Sequence, residues 1–120
     1  MITTIATIAV YVDDQVAAEK FWMHKLGFVQ KEKKQMGSDA YWIEVAPANA
    51  QTNLVIYPKS MMKNASDHQP SLVFLCEDVE QSYQQLLANG VVFSSKPQKM
   101  QWGTFAQFYD NEGNEYLLKS

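Results

Sequence analysis

Residues 7–27 and 71–90 spell one pattern twice, and that repeat restricts the fold of this chain more than any other feature. The first copy is an alternating apolar strand (Ile8, Val10, Val12), a pair of carboxylates (Asp13, Asp14), an amphipathic helix and Gly27. The second is a strand (Leu72, Phe74, Cys76), two carboxylates (Glu77, Asp78), a helix carrying Val79, Tyr83, Leu86 and Leu87, and Gly90. Asp14 and Asp78 stand 64 positions apart, and Gly27 and Gly90 stand 63 apart, so one register holds with a single deletion. A self-similar period of this length marks a fold built from copies of one unit.

Local physics explains why each copy should fold alike. Asp13 or Asp14, and Asp78 in the second copy, can accept a hydrogen bond from an otherwise unpaired amide of the first helical turn, and their charge suits the positive end of the helix dipole. Ala18, Phe21, Trp22 and Leu26, and likewise Val79, Tyr83, Leu86 and Leu87, recur at helical spacing and give each helix one apolar stripe. Such stripes need a sheet to lie on. Gly27 and Gly90 can take the left-handed conformation that ends a helix, after which Phe28-Val29 and Val91-Val92-Phe93 begin strands.

Further along the first copy, residues 28–35 read as an edge strand with a Lys-rich outer face, residues 40–46 and 52–57 as two more strands, and residues 47–51 as the loop between them. Residues 58–70, enclosed by two prolines, form a connector, and its Met61 and Met62 read as packing under a loop, with a flexible apolar wall over a pocket as the alternative. The second copy repeats the order, with strands at residues 71–76, 91–95, 103–109 and 115–119 and a loop at residues 97–101. Its last hairpin turns at residues 110–114, where Gly113 supplies a positive φ and Asp110 can bond back to the turn backbone. The expected architecture is therefore α+β: two tandem βαβββ modules, residues 1–57 and 71–120, in one domain. They form a cupped, partly open barrel with one helix on the outside of each module.

Composition excludes several functions. Ten basic against thirteen acidic residues give a net charge of −3, without the concentrated basic face on which nucleic-acid binding rests. The run from Lys31 to Lys34 is interrupted by Glu32 and suits an edge strand made unattractive to other strands. Cys76 is the one cysteine, so an intrachain disulfide is impossible, and within an apolar strand it reads as a small buried hydrophobe. The first residues lack a basic segment followed by a continuous apolar run, and no stretch reaches the length of a membrane span. The expectation is a cytoplasmic protein that contacts neither membrane nor nucleic acid.

The paired modules, Val12-Asp13-Asp14 before a helix, Phe21-Trp22 followed by Leu26-Gly27-Phe28, and Asp110-x-x-Gly113-Asn114 before the last strand resemble the vicinal oxygen chelate superfamily. That group includes glyoxalase I, bleomycin resistance proteins and extradiol dioxygenases, and the resemblance spans essentially the whole chain. It implies that metal-dependent relatives hold a divalent ion through His or Glu on the first and last strands of each module. Those positions fall here on Thr7, Val55, Ser71 and Leu117, none of which is a ligand of the required kind. Sliding the register by up to two residues adds only Glu115. His24, on the first helix, and His68, in the connector, lie outside these strands. No metal and no cofactor is expected.

Glu44 and Glu115, both inside strands, are the weak catalytic candidates, pending the pleat parity that decides where each points. What remains is an apolar, aromatic cup. Trp42, Tyr57, Trp102, Phe105 and Phe108 lie in or beside its strands, and Trp102 could stack on a flat ligand. The expected ligand-binding set is Thr7, Trp42, Val55, Tyr57, Ser71, Trp102, Phe108 and Leu117. The resemblance thus implies a metal-free member, similar to bleomycin resistance proteins, that binds a small hydrophobic or aromatic molecule, and family habit implies a homodimer. The alternative is a metal-dependent lyase, isomerase or dioxygenase resembling glyoxalase I, using atypical ligands such as Glu44, Glu115 or His68. A protein-interaction scaffold is a third possibility.

Overall fold

In the computed structural model, which describes residues 1–62, 69–101 and 103–120, the aspartates at the two helix starts act as caps. Asp14 Oδ1 accepts the Ala17 amide at 3.1 Å, and Asp78 Oδ1 accepts the Gln81 amide at 3.3 Å. The glycines at the helix ends take positive φ, 79° at Gly27 and 90° at Gly90. His68 and Trp102 lie outside the described residues.

The chain divides into two compact units, Met1–Pro70 and Ser71–Ser120. In the first, strand β1 (Thr7–Val12) leads into helix α1 (Gln15–Glu19), followed by strands β2 (Val29–Gln35), β3 (Tyr41–Ala46) and β4 (Asn53–Pro58). The second repeats this with β5 (Val73–Leu75), α2 (Val79–Ala88), β6 (Val92–Met100), β7 (Gly103–Tyr109) and β8 (Glu115–Lys119). The fold is α+β, two tandem βαβββ modules. Their four-stranded open sheets run β1-β4-β3-β2 and β5-β8-β7-β6, with the first strand of each parallel to the last.

Alternation along the strands makes one face of each sheet the core. In the first unit Val10, Val12, Ile43, Val45, Leu54 and Ile56 are buried with Ala18, Phe21 and Trp22 of the helical segment. In the second, Phe108 and Tyr116 are buried with their ring centroids 5.6 Å apart; both meet Phe74, at 6.0 and 5.7 Å, and Phe108 also meets Phe93 at 5.9 Å. Phe108 is therefore a core ring on the helix side of its sheet, where a ligand on the open face does not reach it.

Four local expectations change. The first helix continues as a π-helical segment, Lys20–Lys25, closed by the Leu26 amide on the Phe21 carbonyl at 3.1 Å; its wider turn keeps Phe21 and Trp22 buried together. Residues 97–100 extend β6 instead of forming a loop, since β6 is an edge strand and the register shift between Ser95 and Gln98 absorbs Pro97, which has no amide to donate. Strand β5 is short, so Ser71 precedes it and Cys76 follows it half-buried, its amide bonded to the Lys119 carbonyl at 2.8 Å. Leu87 turns off the apolar stripe and is exposed. No helix among the described residues is long and apolar enough to cross a membrane.

Candidate functional site

The open face of the first sheet is built by the residues that alternate with its core set. Thr7, Ala9 and Tyr11 come from β1, Val55 and Tyr57 from β4, and Trp42 from β3. The parallel register sets Ala9 beside Val55 and Tyr11 beside Tyr57. With Met61 and Met62, which follow β4 in a short 3₁₀ turn, these side chains line a cavity of about 480 Å³, within the span of about 300–1,000 Å³ usual for small-molecule sites.

Its rings form a row across three strands. Tyr11 and Tyr57 meet edge to face at 6.1 Å and 87°, and Trp42 and Tyr57 do so at 6.0 Å and 82°. Each contact fixes one ring against the next and leaves faces available for stacking.

Two polar groups hold the row. Where the β3–β4 ladder ends at Ile43 and Ile56, the side chain of Gln15 takes over. Its Nε2 donates to the carbonyls of Tyr41 and Ile56 at 2.7 and 2.8 Å, and its Oε1 accepts the Tyr41 amide at 3.1 Å. Helix α1 thereby clamps the strand ends that carry Trp42 and Tyr57. On the open face, Glu44 Oε2 accepts the Trp42 indole N–H at 2.7 Å, and Oε1 accepts the Asn53 amide at 2.8 Å. These donors, the indole first, hold the Glu44 carboxyl below its ordinary 4.5 in spite of partial burial. It is ionised at neutral pH and a weak general base.

The expected site residues separate by unit. Thr7, Trp42, Val55 and Tyr57 come together on the first unit's open face, and Glu44 sits beside them, paired across the ladder with Val55. Leu117 belongs to a second cavity, of about 410 Å³, where it meets Phe105, Gln98 and Gln107 of the second unit. Ser71 is exposed ahead of β5, and Glu115 is exposed on β8. Sequence reasoning passed over Tyr11, although the period of two from Thr7 places it on the same face. Met61 and Met62 line the cavity, the alternative of the two readings of the connector; no local pattern there separates those roles.

The residues at the positions that the resemblance assigns to metal ligands do not suit a divalent ion in either unit. Thr7, Val55, Ser71 and Leu117 offer two hydroxyls and two hydrocarbon side chains, against the imidazole and carboxylate donors such an ion takes. Among the described residues, no three His, Cys, Asp or Glu gather closely enough to hold one.

Residues 4–117 match the sequence profile of the Glyoxalase/Bleomycin resistance protein/Dioxygenase superfamily. The chain belongs to that superfamily. It is 50% identical to the uncharacterized protein YetH of Bacillus subtilis (strain 168) over 99% of both chains. Among solved structures, it is similar to a superfamily member from Sphaerobacter thermophilus DSM 20745, with 25% identity and a TM-score of 0.87 over 98% of this chain and 97% of that one. It is also similar to TnmS3, an antibiotic binding protein from Streptomyces sp. CB03234, with 28% identity and a TM-score of 0.82 over 98% and 95%. Superfamily membership leaves the activity open, because one fold hosts many sites.

Proposed function

We propose that this superfamily member is a metal-free binding protein that takes a small, partly aromatic molecule, of the kind antibiotics exemplify, against the open face of its first unit. The observation that carries the reading is the Tyr11, Tyr57 and Trp42 row in a cavity of about 480 Å³ walled by two methionines. Flat rings stack on such a row, and flexible thioethers adapt to the ligand's outline. The antibiotic binding of TnmS3 supports it by likeness. Against an enzyme stand the residues at the superfamily's metal positions and the weakly basic Glu44.

Thermal unfolding with a panel of bleomycin, anthraquinone and acridine compounds tests the reading. At about 100 times its Kd, a ligand of the folded state adds about 2.7 kcal/mol and raises the melting temperature by roughly 10 °C. At least one compound should do so; a panel without any shift would contradict the proposal. Metal content of protein purified without chelators should be far below one equivalent, and a stoichiometric ion would revive the enzyme.

We further infer a homodimer in a reducing, cytoplasmic setting. Both sheets end in edge strands, and the second unit exposes Val73, Leu75 and Val92 along its edges. The half-buried thiol of Cys76 is free and suits a reducing compartment.

A further inference from the structure

The residues around the aromatic row carry information about the charge of what it binds. The cavity lining itself is neutral: hydroxyls, rings, hydrocarbon and thioethers. The charges nearest it on the same face are Glu44, its cross-strand neighbour Glu32, and Lys34, which stands across from Trp42. Lys34 Nζ lies 3.0 Å from Glu32 Oε1, and its charge also acts on Glu44. Lys59, next to the methionine turn, is drawn to Asp13 at 3.4 Å. Glu44, bonded to the Trp42 indole and the Asn53 side-chain amide, also stands beside Glu32 and in the field of Lys34, so these two carboxylates and one lysine leave the face with one negative charge in excess.

We propose that the ligand of this face is a cationic planar aromatic, a protonated or quaternary nitrogen fused to or carried by a ring system, with its charge beside Glu44 and over the rings of Trp42 and Tyr57. The inference rests on the binding reading above and adds the ligand's charge class. A cation is attracted both by the carboxylate and by the electron-rich ring faces, whereas an anion is repelled by both. A neutral ring system gains only stacking.

Titration calorimetry near neutral pH with three acridines of one shape separates these cases: 9-aminoacridine, a cation; acridine, neutral; and acridine-9-carboxylate, an anion. The expected result is a Kd for 9-aminoacridine about tenfold below that of acridine, with the carboxylate weakest. Added salt should shrink that advantage, since a partly exposed charge is screened. Glu44→Gln keeps an acceptor for the Trp42 indole and should bring the cation-to-neutral ratio close to one. Equal affinity of the wild-type protein for all three compounds would overturn the charge assignment and leave the binding reading standing. Tighter binding of the anion would overturn it too. No binding by any of the three to folded wild-type protein would count against both. The wild-type comparison decides even where the variant folds poorly.

Discussion

Asp110 is buried in the second unit and accepts four hydrogen bonds. It is 6% exposed, and its Oδ1 accepts the amides of Glu112 and Asn114 at 2.8 and 2.9 Å. Its Oδ2 takes the Asn114 side-chain amide at 3.0 Å and the Tyr116 hydroxyl at 2.7 Å. Burial, and then the nearby carboxylate, push the Tyr116 phenol up, so it remains a donor throughout the accessible pH range. Asp110→Ala strands these donors and should cost about 3–5 kcal/mol in chemical denaturation; a loss under about 1 kcal/mol would contradict the network. Gly113 isolates a backbone effect in the same turn. Its φ is +84° and a Cβ there meets nothing within 4 Å, so Gly113→Val carries only the left-handed penalty, about 1–2 kcal/mol. An unchanged melting temperature would refute the turn. Both roles were legible in the sequence, because Asp and Gly at fixed offsets in a hairpin have few alternative uses. The bond between Glu44 and Trp42 was not, since it depends on pleat parity and rotamer. Glu44 has a depressed folded-state pKa, so its stabilisation is present above 4.5 and fades as pH falls through the lower folded value. The Trp42 indole proton, followed by NMR, should titrate with a midpoint below 4.5, and a midpoint at or above it would break the link.

At the scale of elements, periodicity placed both helices and every strand, because apolar spacing and capping residues act locally. It could not see the clamp of Gln15, which reaches 26 and 41 residues along the chain to Tyr41 and Ile56. A polar residue in a first helical turn looks like a solvated one until its strand partners are known. Gln15→Leu leaves two carbonyls and an amide of the sheet without this partner and should lower stability by about 2–3 kcal/mol. It should also broaden the indole resonance of Trp42, carried by the clamped strand. Equal stability and an unchanged spectrum would show that the strand ends hold themselves. Strand β6 shows the opposite limit of sequence reading. Pro97 argues against a central strand, yet on an edge with bulges it costs no ladder bond.

At the scale of the whole molecule, the repeat of residues 7–27 in residues 71–90 announced the two modules, and the structure and the superfamily match agree with it. The candidate site was half legible. Thr7, Trp42, Val55 and Tyr57 gather in one cavity, while Phe108 went to the core, since a ring alternating along a strand carries no mark of which face is open. Light scattering at micromolar concentration should give about twice the 13.7 kDa of one chain, and a stable mass near 13.7 kDa would contradict the dimer. Ligand should meet the row of Tyr11, Tyr57 and Trp42. Methionine-methyl and indole NMR, with the panel compound that raises the melting temperature most, tests it directly. Resonances of Met61, Met62 and Trp42 should shift together and saturate at one equivalent per chain, whereas shifts confined to the second unit, or none, would contradict the account.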